Sequence, residues 1–229
     1  MYMKKIVLIK WVSLLSVLFL FIREPIAQDT VQRKIADTVV VPVLLDTSVV
    51  NKPVEQFVLV FAGDIMGHDT QIEGAYVDST NSYNYEPTFR FMKDYISSAD
   101  IAIGNLEVTL AGPPYKGYPQ FSSPDELAIE AKKAGFDVLV TANNHAADRG
   151  SKGIDRTISM LDSLQFVHAG IYRNEEERVI RYPLVVEKNG FKIALLNYTY
   201  GTNGIVVKPP YIVNRIDTAT IAKDISKAK

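Results

Sequence analysis

Apolar residues fall along this chain in short unbroken blocks, and three of the blocks end in a polar tip. Phe57-Val58-Leu59-Val60-Phe61-Ala62 runs into Gly63-Asp64, Ile101-Ala102-Ile103 runs into Gly104-Asn105-Leu106-Glu107, and residues 136–142 run into Asn143-Asn144-His145. Continuous apolar runs of this length, with β-branched and aromatic content, read as strands buried on both faces. Helical spacing fills the gaps between them. Pro87 at a first-turn position, followed by Phe89, Met92 and Ile96, predicts one helix. Ser123-Pro124-Asp125-Glu126 reads as a capping box that launches a second helix, stopped at Gly135. Ile154, Ile158, Leu161 and Leu164 mark one face of a third, over residues 151–164, before a fourth short strand at residues 166–170. Strand and helix alternating three times predict βαβ units, a parallel sheet and an α/β fold. The pattern then changes. Asn189-Gly190 between two apolar runs predicts a hairpin, and with it a mixed second sheet, while Ile221 and Ile225 begin a last helix.

Composition adds bounds. The 229 residues are 47% hydrophobic, enough for one good core and a tail but not for two large domains. A net charge of −1 gives no bulk attraction to nucleic acid. The absence of cysteine excludes disulfide scaffolds, thiolate metal sites and cysteine nucleophiles. The amino terminus carries Lys4, Lys5 and Lys10, then an apolar run over residues 11–22 and Pro25-Ile26-Ala27-Gln28. A basic start, a short apolar segment and a small residue before a polar one describe a secretory signal, or an amino-terminal anchor if it is not cleaved. The expected organisation is therefore a leader or anchor at 1–27, a linker at 28–56 containing the run Val39-Val40-Val41-Pro42-Val43-Leu44-Leu45, and a domain at 57–229 working outside the cytoplasm, periplasmic or membrane-anchored.

The polar tips carry the candidate chemistry. In a parallel sheet the carboxyl ends of the strands share one rim, where a rigid scaffold presents loops to a crevice. Asp64 stands there as a ligand or as a turn cap. Asn105 and Glu107, two residues apart on a strand end, point the same way. With Asn144 and His145 they make a carboxylate, amide and imidazole set suited to manganese, iron or zinc. His145 is alternatively an acid for a leaving group, its ring held by Asp148 three residues on. His68 either completes a metal shell with Asp64 or is exposed to solvent, and His168, inside an apolar strand, reads as structural. The loop Pro113-Pro114-Tyr115-Lys116-Gly117-Tyr118-Pro119 reads as a substrate rim or a stiff connector.

Gly63-Asp64-Ile65-Met66, Gly104-Asn105-Leu106-Glu107, Asn143-Asn144-His145 with Asp148 and Gly150, and Tyr198-Thr199-Tyr200-Gly201-Thr202-Asn203-Gly204 together resemble the successive motifs of the bacterial capsule synthesis, CapA-like family. That family is associated with poly-gamma-glutamate production and is similar in architecture to calcineurin-like metallophosphoesterases. The resemblance covers residue 57 onward and implies a layered α/β/β/α sandwich. It also implies metal positions at Asp64, Asn105, Glu107 and Asn144, a catalytic or outer-shell His145, and a divalent metal, dinuclear in a full-length relative. The implied partners are membrane-associated polymer synthesis components and an anionic polymer or phosphoester substrate. Two departures stand out. Ile65-Met66 occupies the place of an expected Asp-x-His, and the family's later His-Trp-Gly-like and His-x-His-like segments do not occur before Lys229. The expectation is an incomplete domain, truncated on its carboxyl side: a metal-dependent hydrolase, a non-catalytic accessory or export component, or an inactive fragment.

Overall fold

A computed structural model describes residues 56–229 and the backbone of a short strand, β1 (Val7–Lys10). The expected leader and linker otherwise lie outside the described residues, as does the valine run at 39–45.

The chain proceeds through β2 (Val58–Ile65), α1 (Asp69–Ala75), β3 (Tyr76–Val77), β4 (Ser82–Tyr83), α2 (Glu86–Phe89), α3 (Lys93–Ser97), β5 (Ile101–Leu106) and α4 (Asp125–Ala134). It continues with β6 (Val138–Val140), α5 (Gly150–Ser163), β7 (Val167–Ala169), β8 (Ile171–Tyr172), α6 (Glu175–Arg181), β9 (Leu184–Lys188), β10 (Phe191–Leu195), β11 (Ile212–Val213) and α7 (Thr218–Ala228). The central sheet is parallel throughout, in the order β1-β2-β5-β6-β7, as the strand and helix alternation predicts. Because every strand runs the same way, the tips after β2, β5 and β6 emerge at one rim. The opposite rim is stitched by acids: Val58 N–H donates to Asp100 Oδ2 at 2.7 Å and Ala102 N–H to Asp137 Oδ2 at 2.9 Å.

The period of two along β5 divides its neighbours between two layers. Ala102 and Leu106 pack with Leu127, Ala131 and Phe136 on the helical side. Ile101 and Ile103 pack with Val186, Phe191 and Leu195 of the β9–β10 hairpin on the other. Helices, parallel sheet and hairpin thus form successive layers of an α/β fold. Asn189 and Gly190 both adopt positive φ, 53° and 71°, the geometry of the tight turn their sequence predicts. The second sheet differs from the expectation: among the described residues β9 and β10 pair only with each other, and β8 pairs with β11.

Two local expectations are corrected. The single helix through Phe89, Met92 and Ile96 is divided into α2 and α3. Phe89 and Ile96 are core residues, whereas Phe91 and Met92 are exposed, so two short helices joined by a turn seat both anchors without a continuous axis. The capping box before α4 does not form. Ser123 Oγ is buried without a partner, and the Ser123 N–H that Glu126 would cap donates to Thr109 O at 3.0 Å.

Candidate functional site

The rim brings the separated tips together. Asp64 ends β2 and is exposed; Asn105 lies in β5 and Glu107 just beyond it, both half-buried. The Asn105 Nδ2 group donates to Asp64 Oδ1 and to Glu107 Oε2, each at 2.8 Å. The same amide accepts at Oδ1 from Asn143 Nδ2 at 3.1 Å. Asn143 is buried, donates also to Leu106 O at 2.8 Å, and accepts from His145 N–H at 3.1 Å. His145 Nδ1 meets Asp148 Oδ2 at 2.8 Å with both side chains buried. One hydrogen-bonded chain therefore runs from Asp64 through Asn105, Asn143 and His145 to Asp148.

The loop before α4 closes the far end. Phe121 N–H donates to Asp148 Oδ2 at 2.7 Å, and its ring stands edge-on to His145 at 4.7 Å and to His68 at 5.1 Å. The proline and tyrosine loop is tied down where Gly117 N–H donates to Asp69 Oδ1 at 2.6 Å, yet Tyr118 stays exposed. Tyr118, Gln120, Asn144, His145 and Asn203 line a cleft of about 570 Å³. On the other side of Asp64, His68 shares with it a mainly apolar groove of about 550 Å³ beside β2.

Of the sequence candidates, Asp64, Asn105, Glu107, His145 and Asp148 meet in the chain of hydrogen bonds. Asn144 does not; it faces the cleft, and Asn143 takes the inner place. His68 precedes α1, is exposed and reaches the site through Phe121. His168 is buried between Asp162 and Arg181, each 3.0 Å from its Nε2, in keeping with a structural part. Phe121 carries no motif signal that singles it out in the sequence, and Asn203, though inside the Tyr198 to Gly204 motif, is not among the sequence candidates.

Burial, and next to it the Asp64 carboxylate, pushes Glu107 up to about 7 from an ordinary 4.5. Two carboxylates directed at one spot favour either a shared proton or a cation. The Asn105 NH₂ group takes the cation's part here, offering partial positive charge to both. Among the described residues no cluster of three His, Cys, Asp or Glu side chains is placed to hold a metal, so any cation site here rests on the two carboxylates of Asp64 and Glu107. Such an oxygen set fits a hard divalent ion, and among manganese, iron and zinc it fits manganese best. Burial also raises Asp148, opposed by the Phe121 N–H and His145.

The Glu107 shift carries a testable pH dependence. A carboxyl whose folded pKa lies above its unfolded value contributes most below about 4.5 and loses that contribution as pH rises towards about 7. Chelator-treated protein should lose stability across that window in denaturant titrations, and Glu107→Gln should flatten the loss. Identical profiles for the two proteins would reject the assignment.

Residues 58–229 match the family model described as bacterial capsule synthesis protein PGA_cap. The chain is similar to the capsule biosynthesis protein CapA of Bacillus anthracis, 28% identical over 184 residues that cover 76% of this chain and 43% of that protein. It is also similar to the PGA biosynthesis protein CapA of Bacillus subtilis (strain 168), 30% identical over 148 residues that cover 61% and 36% of the two chains. An uncharacterized protein of Sinorhizobium fredii is 29% identical over 127 residues, 52% of this chain and 25% of its own. The chain spans less than half the length of each of these relatives. The matched range takes in all three rim tips and the Tyr198 to Gly204 loop, and on that match the chain belongs to the bacterial capsule synthesis PGA_cap family.

Proposed function

We propose that this chain acts in capsule or poly-gamma-glutamate biosynthesis, outside the cytoplasm, as a metal-dependent hydrolase of a phosphoester. The observation that supports this reading is the unbroken chain of hydrogen bonds from the Asp64 and Glu107 carboxylates to the His145–Asp148 pair, which would couple a cation-holding end to a proton-carrying end. Asp64 and Glu107 would hold one divalent cation in the place where the Asn105 NH₂ group now stands between them, with Asn105 turned to offer its oxygen instead. When bound, such an ion supplies the charge that polarises a phosphoryl oxygen and acidifies water.

The remaining work falls to the chain's own groups. The Asp148 carboxylate favours the His145 tautomer with its proton on Nδ1 and stabilises the imidazolium when it forms. In that imidazolium the Nε2 proton is the one free to pass to the departing oxygen. Asn143 fixes the His145 backbone relative to Asn105, so proton donor and cation site keep a constant separation. The Phe121 ring covers one side of the imidazole.

Titrating the full chain with Mn²⁺ by electron paramagnetic resonance should show saturable binding at one site that disappears in Asp64→Ala. Absence of saturable binding would overturn the metal reading. A second reading is an accessory or export component that works beside membrane-associated synthesis partners. The small number of charged donors at the rim favours it, since two carboxylates hold a cation weakly. Mn²⁺ binding without turnover of phosphoester or amide-linked polymer substrates would select it.

A further inference from the structure

The loop after β10 lies beside the catalytic cleft and has no place in the mechanism above. Ile205 N–H donates to Thr202 O at 2.8 Å, closing a tight turn in which Asn203 and Gly204 take positive φ of 48° and 77°. Consecutive left-handed residues suit asparagine and glycine. The turn brings Asn203 Nδ2 to 3.4 Å from His145 Nδ1. Its other flank borders a second groove, of about 520 Å³, formed by Gly201, Thr202, Gly204, Tyr211, Val213 and Arg215 among others. Ile205 lines both hollows, so they adjoin along this turn.

Among the described residues, Arg215 is the one charged side chain lining that second groove. Its sole hydrogen bond within the described residues runs from Nη2 to Thr202 Oγ1 at 2.9 Å. Thr202 is buried and its hydroxyl in turn donates to Ile205 O at 2.7 Å, so the acceptor that fixes one edge of the guanidinium is itself fixed. Most other described arginines are neutralised: Arg90, Arg156, Arg173, Arg178 and Arg181 each pair with a carboxylate, while Arg149 donates to Pro114 O at 3.3 Å and lies outside this groove. A guanidinium offers five N–H donors and no acceptor. Held by one neutral hydroxyl in a groove without an acid, Arg215 keeps most of that capacity for an oxyanion. Gly201 and Gly204 have open space where a side chain would stand, so a ligand can approach the backbone there.

We propose that Arg215 anchors an oxyanion group, a carboxylate or a phosphate, of a ligand that extends along the Thr202 to Ile205 turn into the His145 cleft. Arg215 then reads the ligand at a distance from the reacting bond, and Asn203 touches it between the two. As a substrate contact this rests on the hydrolase reading; as an anion-binding site it stands apart from it.

The test uses the full chain, with chelator present to remove metal, and follows backbone amide signals by NMR during titration with glutarate and, separately, inorganic phosphate. Saturable shifts are expected at Gly201, Thr202 and Gly204. Arg215→Gln should weaken them about tenfold or more, the cost of a charge-assisted contact, and Arg215→Lys should restore part of the affinity. Thr202→Val, which removes the hydroxyl that orients the guanidinium, should weaken them by a smaller factor. Stronger binding of glutarate identifies a carboxylate ligand, and stronger binding of phosphate a phosphoryl one. Unchanged affinity in Arg215→Gln, or no saturable binding of either anion by the native chain, would overturn the proposal. Asp64→Asn should leave anion binding intact, so failure of this site and failure of the metal site give separate results.

Discussion

Asp64→Ala is expected to lower Mn²⁺-dependent hydrolysis of a phosphodiester such as bis(p-nitrophenyl) phosphate by about a thousandfold, the scale set by removing a preorganised electrostatic partner of the transition state. Asp64 is exposed and sits at a strand end, so its removal takes no packing from the core. The loss should therefore appear in kcat/KM with the melting temperature nearly unchanged. Glu107→Gln should act in the same direction, because it discharges the second carboxylate on the shared Asn105 amide. Asp148→Asn tests the other end of the chain. It keeps the shape but removes the charge that favours the His145 imidazolium, and a decrease of about a hundredfold is expected. Native turnover that survives Asp64→Ala within about threefold would remove this carboxylate from any account of the activity.

Gly170→Ala is expected to give the largest loss of stability, about 3 kcal/mol or more, from the loss of a left-handed backbone position together with direct collision. Gly170 has φ of +128°, and a side chain there would strike the backbone nitrogen of Ala142 and Oδ1 of Asn197. That asparagine clasps the root of the site: Ala142 N–H donates to its Oδ1 at 2.6 Å, and its Nδ2 donates to Ala142 O at 3.2 Å. Opening the clasp moves the segment that carries Asn143, His145 and Asp148, so activity and stability should fall together. For a domain of this size the melting temperature should drop by about 10 °C. Asn197→Ala, which opens the clasp without the collision, should cost less. A melting temperature within a degree or so of native for Gly170→Ala would mean that the backbone here is free to shift.

The two substitutions differ in what the sequence could announce. Asp64 is legible because it terminates an apolar run after a glycine, and two other runs end in the same manner. Gly170 follows a short strand like many glycines, and nothing near it in sequence names Ala142 or Asn197 as its neighbours. The same division runs through the site. The alternation of side chains along a strand is local, so spacing alone puts Asn105 and Glu107 on one side. Past the end of β6 that alternation lapses, and the backbone's path through residues 141–148 decides which asparagine turns inward. Asn143 does, although Asn144 is the one adjacent to His145 in the resembling motif. The pairing of His145 with Asp148 spans three residues and is readable from spacing. The Phe121 N–H that completes it comes from a loop 27 residues earlier.

By itself, then, the sequence determined which segments become parallel strands (though not that β2 leaves Phe61 exposed), where their polar tips fall, which face of α5 packs inward and where the hairpin turns. Each of these follows from periodicity or from the backbone preferences of glycine, asparagine and proline, which act over a few residues. Only the tertiary structure decided that Asn143 links the carboxylates to the histidine, that α2 and α3 are two helices, that the Ser123 N–H goes to Thr109 instead of a capping box, and that Arg215 meets no acid among the described residues. These outcomes depend on distant groups competing for the same hydrogen bonds and charges, and that competition is settled only when the strands and loops have packed.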